Sequence, residues 1–148
     1  FNMEKETKSE IERKGLSRSG RDWMLQTLIN LVNTQSFSFD VTITIGSLLV
    51  SGTLISTVKY QEKFWQQFGA GLLKDEEKAK DFVSSIVSNF EAKVSENPDP
   101  SLVGFIHLDN AFFFGVDNHK FPTNDKGLLW RGNLEHVSSF VLGRISAA

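Results

Sequence analysis

The fold is decided by the stretch Gly127–Ser146, which reads GLLWRGNLEHVSSFVLGRIS. Its first part alternates between an apolar parity that includes Trp130 and a mostly polar parity that includes Arg131. Residues 135–139 break this alternation, and an apolar run resumes at Phe140. The pattern predicts two strands joined by a short turn. Trp130 is expected to face the core beside the first hairpin, and Arg131 is expected to face solvent.

Upstream of this stretch, residues 37–45 alternate apolar and polar side chains without interruption. Gly46-Ser47 follows as a two-residue loop with glycine first, which is typical of a type II′ turn. Such a turn fixes the register of a β-hairpin, whose second strand is expected to bend at Gly52 and to run to about Val58. The predicted pairs are Phe39–Leu54, Val41–Gly52, Ile43–Val50 and Ile45–Leu48.

Three segments have the apolar spacing of amphipathic helices. Ser19-x-x-Asp22 resembles a capping box, and it opens a first helix that ends within residues 33–36. A second helix is predicted over residues 59–73. A longer third helix starts at Asp75 and ends at the two prolines within residues 96–101, because proline cannot continue a helix.

The remaining segments complete the order of elements. A third strand region spans residues 102–116, with a kink or bulge at Asp109-Asn110, and a polar loop covers residues 117–126. The sequence therefore predicts an α+β fold with a strongly bent antiparallel sheet of about five strands, a small SH3-like or Sm-like barrel. An N-terminal helix precedes it, and the helical pair is inserted between strands 2 and 3. Residues 1–20 are expected to be a polar, flexible arm, and residues 21–148 a single α+β domain.

Length and composition limit the class of protein. A chain of 148 residues suits one domain, and its formal net charge of -2 gives no general attraction to nucleic acid or to an anionic membrane. The absence of cysteine excludes disulfides and thiolate metal sites, and it is typical of a cytoplasmic protein. No apolar run approaches the roughly 20 residues of a membrane-spanning helix. We therefore expect neither nucleic acid nor membrane as a partner.

Motifs that would indicate catalysis are missing from the sequence, which contains no phosphate-binding loop, dinucleotide fingerprint or nucleophile elbow. His107 and Asp109 alternate in a strand, so a shared face could support acid–base or metal chemistry. No further ligand or nucleophile stands at a suitable distance, and we interpret His107 as a histidine on the strand surface near a turn aspartate. The sequence thus predicts no catalytic residue, no cofactor and no metal.

Aromatic residues are the strongest candidates for an interaction site. Three consecutive phenylalanines place aromatic rings on both faces of one strand, so at least one ring needs cover from a helix, another chain or a ligand. Similar questions arise for the aromatic pair on the inserted helix and for the arginine beside Trp130, which could make a cation–π or nucleic-acid contact. The candidate interaction residues are Phe112, Phe113, Phe114, Phe64, Trp65 and Arg131.

Five stretches of the chain carry a resemblance to a known family. They are Phe37–Asp40, Val50–Ser56, Phe105–Asn110, Trp130–Leu134 and Leu142–Ser146. In this order, over roughly residues 25–146, the chain resembles the GvpU family of gas-vesicle accessory proteins. The resemblance implies a non-enzymatic protein that is associated with gas vesicles in the cytoplasm and takes part in their assembly or clustering. It implies contacts to the vesicle shell or other accessory proteins, with no established catalytic residues. The Phe112–Phe114 run and the exposed edges of a small sheet lead us to expect a homo-oligomer.

Two alternatives from other classes stay open at this point. An Sm-like RNA-binding protein would use Arg131 and aromatic stacking, although the Asp-x-apolar-Asn signature of that fold is not evident before the third strand. A hydrolytic enzyme would use His107 and Asp109. Steeply salt-dependent RNA binding would favour the first alternative, because binding that neutralises phosphates weakens as salt is added.

Overall fold

The structure is a computed structural model that describes residues 20–72, 75–95 and 99–146. Within these residues the helices are α1 (Trp23–Gln35), α2 (Thr57–Leu72) and α3 (Glu76–Ser95). The strands are β1 (Phe39–Ile45), β2 (Leu48–Leu54), β3 (Phe105–Phe114), β4 (Lys120–Phe121), β5 (Leu128–Asn133) and β6 (Val137–Leu142). Two 3-10 turns cover Pro100–Leu102 and Leu134–His136. The predicted arm lies outside the described residues except for Gly20, and the division into an arm and one domain stays a prediction.

Helix α1 is capped by Asp22 itself, three residues later than the Ser19 cap that the sequence pattern indicated. The Asp22 Oδ1 accepts the backbone N–H of Met24 at 2.9 Å and that of Leu25 at 3.4 Å. These bonds satisfy donors that have no partner inside the first turn of a helix. The buried face of α1 consists of Leu25, Gln26, Ile29 and Val32.

The first hairpin has the predicted register, with Phe39 opposite Leu54 and Ile45 opposite Leu48. Gly46 has a φ of 58°, as the first loop residue of a type II′ turn requires. The expected extension of β2 to Val58 is wrong, because Ser56 caps α2. Its backbone oxygen accepts the Tyr60 N–H at 2.9 Å and its hydroxyl accepts the Lys59 N–H at 3.0 Å.

The sheet contains six antiparallel strands, one more than the sequence predicted. Their order is β4-β3-β2-β1-β6. β5 pairs with β3 on the same edge as β4, and β4 occupies only the C-terminal end of β3. β5 and β6 therefore lie at opposite ends of the order, although only Leu134–His136 connects them. This short connection bends the sheet strongly. The barrel is not closed, and the expected SH3-like or Sm-like barrel is not confirmed.

A β-bulge lies at Asp109-Asn110, where the sequence indicated a kink or bulge. The register against β2 and against β5 shifts at this point, and Asn110 adopts a φ of 51°. Asparagine tolerates this left-handed conformation better than most residues. Its side chain also accepts the backbone N–H of Gly127 at 2.7 Å. Because the bulge adds a residue, Ala111 continues the core-facing row of Leu108.

The core lies between α1 and one face of the sheet. Trp130 packs against it half-buried, so the predicted inward orientation is confirmed, while Arg131 is exposed. Leu134 completes this end of the core with 3% exposure. The buried core residues are Leu25, Ile29, Val32, Val41, Ile43, Val50, Leu54, Ile106, Leu108, Ala111 and Leu134.

After β6 the chain turns back over the sheet. It crosses the face that carries the polar residues, which alternate along each strand with the core-facing residues. Arg144 places its Nε 3.3 Å from the Asp40 carboxylate and donates to the Thr53 hydroxyl and the Asn110 carbonyl, both at 2.9 Å. One guanidinium therefore links β1, β2 and β3. The left-handed φ of 96° at Gly143 starts this return.

Candidate functional site

Aromatic rings recur at every fourth position of α2, in Tyr60, Phe64 and Phe68. Side chains four residues apart are neighbours on a helix, so these rings stack, with centroids 5.8 Å and 6.4 Å apart. Phe82 of α3 extends the stack at 6.4 Å from Phe68. Trp65 contacts this row edge-on. We call Phe64, Trp65, Phe68 and Phe82 the aromatic face.

The aromatic face is open to solvent. Phe64 is 37% exposed, Phe68 41% and Phe82 38%. A phenylalanine side chain has roughly 200 Å² of surface, so these three rings together expose about 230 Å² of apolar area at one place. We therefore take the aromatic face as the candidate interaction site.

The two helices beneath the aromatic face pack against each other around Gly69. A Cβ at Gly69 would lie 3.5 Å from the Val83 side chain and 3.7 Å from that of Ala79, so the helices approach closely at this point. The Trp65 indole N–H donates to the Gln61 side-chain oxygen at 2.8 Å, and the ring meets Phe82 edge-on at 6.2 Å. The Trp65 ring is thus held by contacts to both helices.

The base of α2 is anchored to the sheet by one ring contact and one ion pair. The Tyr60 ring lies 4.4 Å from the imidazole of His107 on β3. Lys63 Nζ lies 3.1 Å from the Asp109 carboxylate. Helix α2 contacts β3 and β5, whereas α3 packs mainly on α2. The sheet thus positions α2, and α2 positions the Phe82 end of the aromatic face.

His107 is buried under α2, with 2% exposure, which corrects its interpretation as a histidine on the strand surface. Burial first, and then the positive charge of Arg131, lowers the pKa of His107 to about 3. Burial also raises the pKa of Tyr60, against a smaller opposing effect of Arg131. Neither His107 ring nitrogen has a hydrogen-bond partner within the described residues. His107 and Asp109 therefore do not form an acid–base pair.

The three consecutive phenylalanines are largely covered within the chain. Phe114 is only 3% exposed, and Phe113 packs edge-on against Trp130 with ring centroids 6.2 Å apart. Phe112 is half-buried, with the Lys120 ammonium 4.7 Å from its ring centroid. Strand β4 supplies part of this cover, because Lys120 lies over the Phe112 ring and Phe121 lies beside the Phe113 ring. Sequence analysis did not predict this strand.

The predicted interaction residues thus divide into separate groups. Phe64 and Trp65 lie together, with ring centroids 5.0 Å apart, whereas Arg131 lies over the Phe105 ring at 3.9 Å. Phe112–Phe114 occupy the far end of β3. Phe82 was missed as a surface residue because its position in the apolar stripe of α3 is equally typical of a core residue. Its pairing with Phe68 becomes visible only when the helices are packed.

Metal binding and membrane insertion receive no support from the described part of the chain. Its residues include no group of three or more histidine, aspartate or glutamate side chains placed to hold a metal ion. Among the helices in these same residues, none has the length and apolar character needed to cross a membrane.

Together these features describe a small α+β protein with an exposed aromatic face on its helical pair. The chain matches the family model for "Gas vesicle protein GvpU-like" over residues 22–145, which is most of its length. It therefore belongs to the GvpU-like family of gas vesicle proteins, as the resemblance in the sequence indicated. Comparisons with curated proteins and with solved structures give no match.

Proposed function

We propose that this protein is a non-enzymatic accessory protein that clusters or assembles gas vesicles in the cytoplasm. It would bind the vesicle shell, or an accessory protein on it, through the aromatic face. Membership of the GvpU-like family supports the link to gas vesicles. The observation that carries the proposed mode of action is the exposure of Phe64, Phe68 and Phe82 side by side on one helical pair.

Aromatic side chains suit this role for two physical reasons. They are enriched among the few residues that supply most of the binding free energy at protein interfaces. The hydrogen bond and the edge-on ring contacts of Trp65 also hold its ring in place before binding. A preorganised surface loses less conformational entropy when it binds, so more of the contact energy appears as affinity.

A non-enzymatic role is supported by the surroundings of His107 and Asp109, the two side chains considered for acid–base catalysis. The low pKa of His107 keeps its buried imidazole neutral at physiological pH, and its nitrogens are covered. The carboxylate of Asp109 is occupied by the ion pair with Lys63. This part of the sheet acts as the support on which α2 is mounted.

A flotation assay tests the binding surface. Gas-filled vesicles rise in a centrifugal field, so a bound protein rises with them while unbound protein stays behind. We expect the wild-type protein in the floating layer, and at least about 10-fold weaker binding for Phe64→Gln/Phe68→Gln, since interface aromatic residues often contribute 2 kcal/mol or more. The control Leu102→Gln/Val116→Gln changes two residues that are 59% and 85% exposed and lie outside α2 and α3. Equal flotation of the aromatic variant and wild type would overturn the proposal.

A further inference from the structure

Strand β6 is an edge strand that carries neither charge nor proline, and a β-bulge at Ser138 interrupts its pairing with β1 near its start. It lies at the end of the sheet and pairs with β1. Its sequence, VSSFVL, contains no charged residue and no proline. Natural proteins commonly place lysine or proline on such edges to prevent them from pairing with other chains. Here Val141 is 58% exposed and Leu142 69% exposed, which makes the edge accessible and apolar.

The backbone groups that β6 offers follow from its pairing with β1. Val41 is opposite Leu142, and the Gly143 N–H donates to the Asp40 carbonyl at 2.8 Å. In an antiparallel pair, hydrogen-bonded and non-hydrogen-bonded residues alternate. Leu142 and Phe140 therefore direct their N–H and C=O groups away from β1. Within the described residues, nothing donates to or accepts from these outward groups.

We propose that β6 pairs antiparallel with β6 of a second copy of this chain, around a twofold axis at Phe140. Phe140 then pairs with its own equivalent. This pair gives two backbone hydrogen bonds, and the outward groups of Leu142 add to them at each end. The arrangement joins the two sheets into one, and it places Ser139 opposite Val141 of the other copy.

A second copy fits this edge better than an unrelated strand does. The segment is uncharged throughout, so every residue meets an uncharged residue when the strand pairs with itself. The Ser138 and Ser139 hydroxyls are bound within the chain, to the backbone oxygen and the hydroxyl of Thr44. Twofold pairing also uses up both edges at once, so it produces a closed dimer and not a fibre. The β5 edge carries Arg131, which disfavours the same pairing there.

The dimer itself follows from the edge geometry, whereas its role rests on the proposed function. Each copy carries one aromatic face, so a dimer presents two of them. If each face binds a vesicle, the dimer can connect two vesicles, which a monomer with one face cannot do. Dimerisation would then convert vesicle binding into vesicle clustering.

Light scattering coupled to size-exclusion chromatography tests the dimer. We expect a dimer for the wild-type protein at high micromolar concentration and a monomer for Val141→Lys, because a charge on the edge opposes pairing. The control Val116→Lys adds the same charge at an exposed site outside the strands and should stay dimeric. Circular dichroism and thermal unfolding verify that both variants fold. A monomeric wild type, or a dimer that Val141→Lys leaves intact, would overturn the proposal.

Cysteine cross-linking tests the register, since the chain has no cysteine of its own. A mixture of Ser139→Cys and Val141→Cys proteins should form disulfide-linked dimers under mild oxidation, because these positions face each other across a non-hydrogen-bonded pair. Either variant alone, or Ser139→Cys mixed with Val116→Cys, should not. If all mixtures cross-link equally, the register is wrong. Flotation of Val141→Lys is read separately. If neither Val141→Lys nor the wild-type protein floats with the vesicles, the proposed function is contradicted, whereas the dimer is not.

Discussion

The buried imidazole of His107 makes the stability of the fold depend on pH in a way that can be measured. Its pKa is about 3 in the folded protein, against 6.5 for an ordinary histidine. Below pH 6.5 the unfolded chain binds a proton that the folded chain does not bind. Protonation therefore favours the unfolded state as the pH falls from 6.5 towards 3, and the full stability is present above 6.5.

The size of this effect follows from the same two pKa values. Each pH unit within the window costs about 1.4 kcal/mol of unfolding free energy. Between about pH 7 and pH 5 the loss that His107 causes is therefore about 2 kcal/mol. Replacing His107 by Phe keeps a ring under Tyr60 and removes the titrating group. The variant also lacks the two buried nitrogens that have no partner within the described residues, so it should be no less stable than wild type near pH 7.

Urea unfolding curves of wild type and His107→Phe, measured at several pH values between about 7 and 5, provide the test. The difference in unfolding free energy between the two proteins should grow by about 2 kcal/mol across this range in favour of the variant. The control His119→Phe, at a site whose side chain is 88% exposed, should follow wild type. If the unfolding free energies of wild type and His107→Phe change with pH in parallel, the reasoning is refuted, since this would mean that water reaches His107 in the folded protein.

Three further outcomes are expected. Trp130→Ala should lower the unfolding free energy by about 2–4 kcal/mol, because it removes a half-buried ring that packs on Phe113. Arg131→Ala should cost under about 1 kcal/mol, because it removes only an exposed cation–π contact. If urea midpoints show Arg131→Ala to be the more destabilising change, the assignment of Trp130 to the core face of β5 is wrong. Arg144→Lys should cost about 1–2 kcal/mol, because lysine cannot hold Asp40 and two further acceptors at once, and thermal unfolding measures this. With a net charge of -2, no steeply salt-dependent RNA binding is expected in a filter-binding titration, and such binding would favour the Sm-like alternative.

Local signals in the sequence were enough for the hairpin and for the inward side of β5. The Gly46-Ser47 turn and strict alternation fix a register without reference to the rest of the chain, and the observed pairs agree. The β4 strand is only two residues long and lies in a polar loop, so it produces no periodic signal. Barrel closure depends on how far the sheet edges curl towards each other. A strand pattern does not encode that distance.

The aromatic residues show the same limit at the candidate site. An apolar side chain in an amphipathic pattern predicts a face that avoids water, but it does not say whether another element covers that face. Phe114 is covered within the chain, whereas Phe82 is 38% exposed because α3 packs mainly on α2. His107 was misplaced for the same reason, since the start of α2 covers its strand face and no local pattern indicates this.

Clustering of purified gas vesicles by added protein tests the central claim most directly. Light scattering should show a growing particle size when wild-type protein is added to a vesicle suspension. Phe64→Gln/Phe68→Gln should leave the vesicles dispersed, and the control Leu102→Gln/Val116→Gln should cluster them as wild type does. If the aromatic variant clusters vesicles as strongly as wild type at equal concentration, the aromatic face is not the surface through which this protein acts.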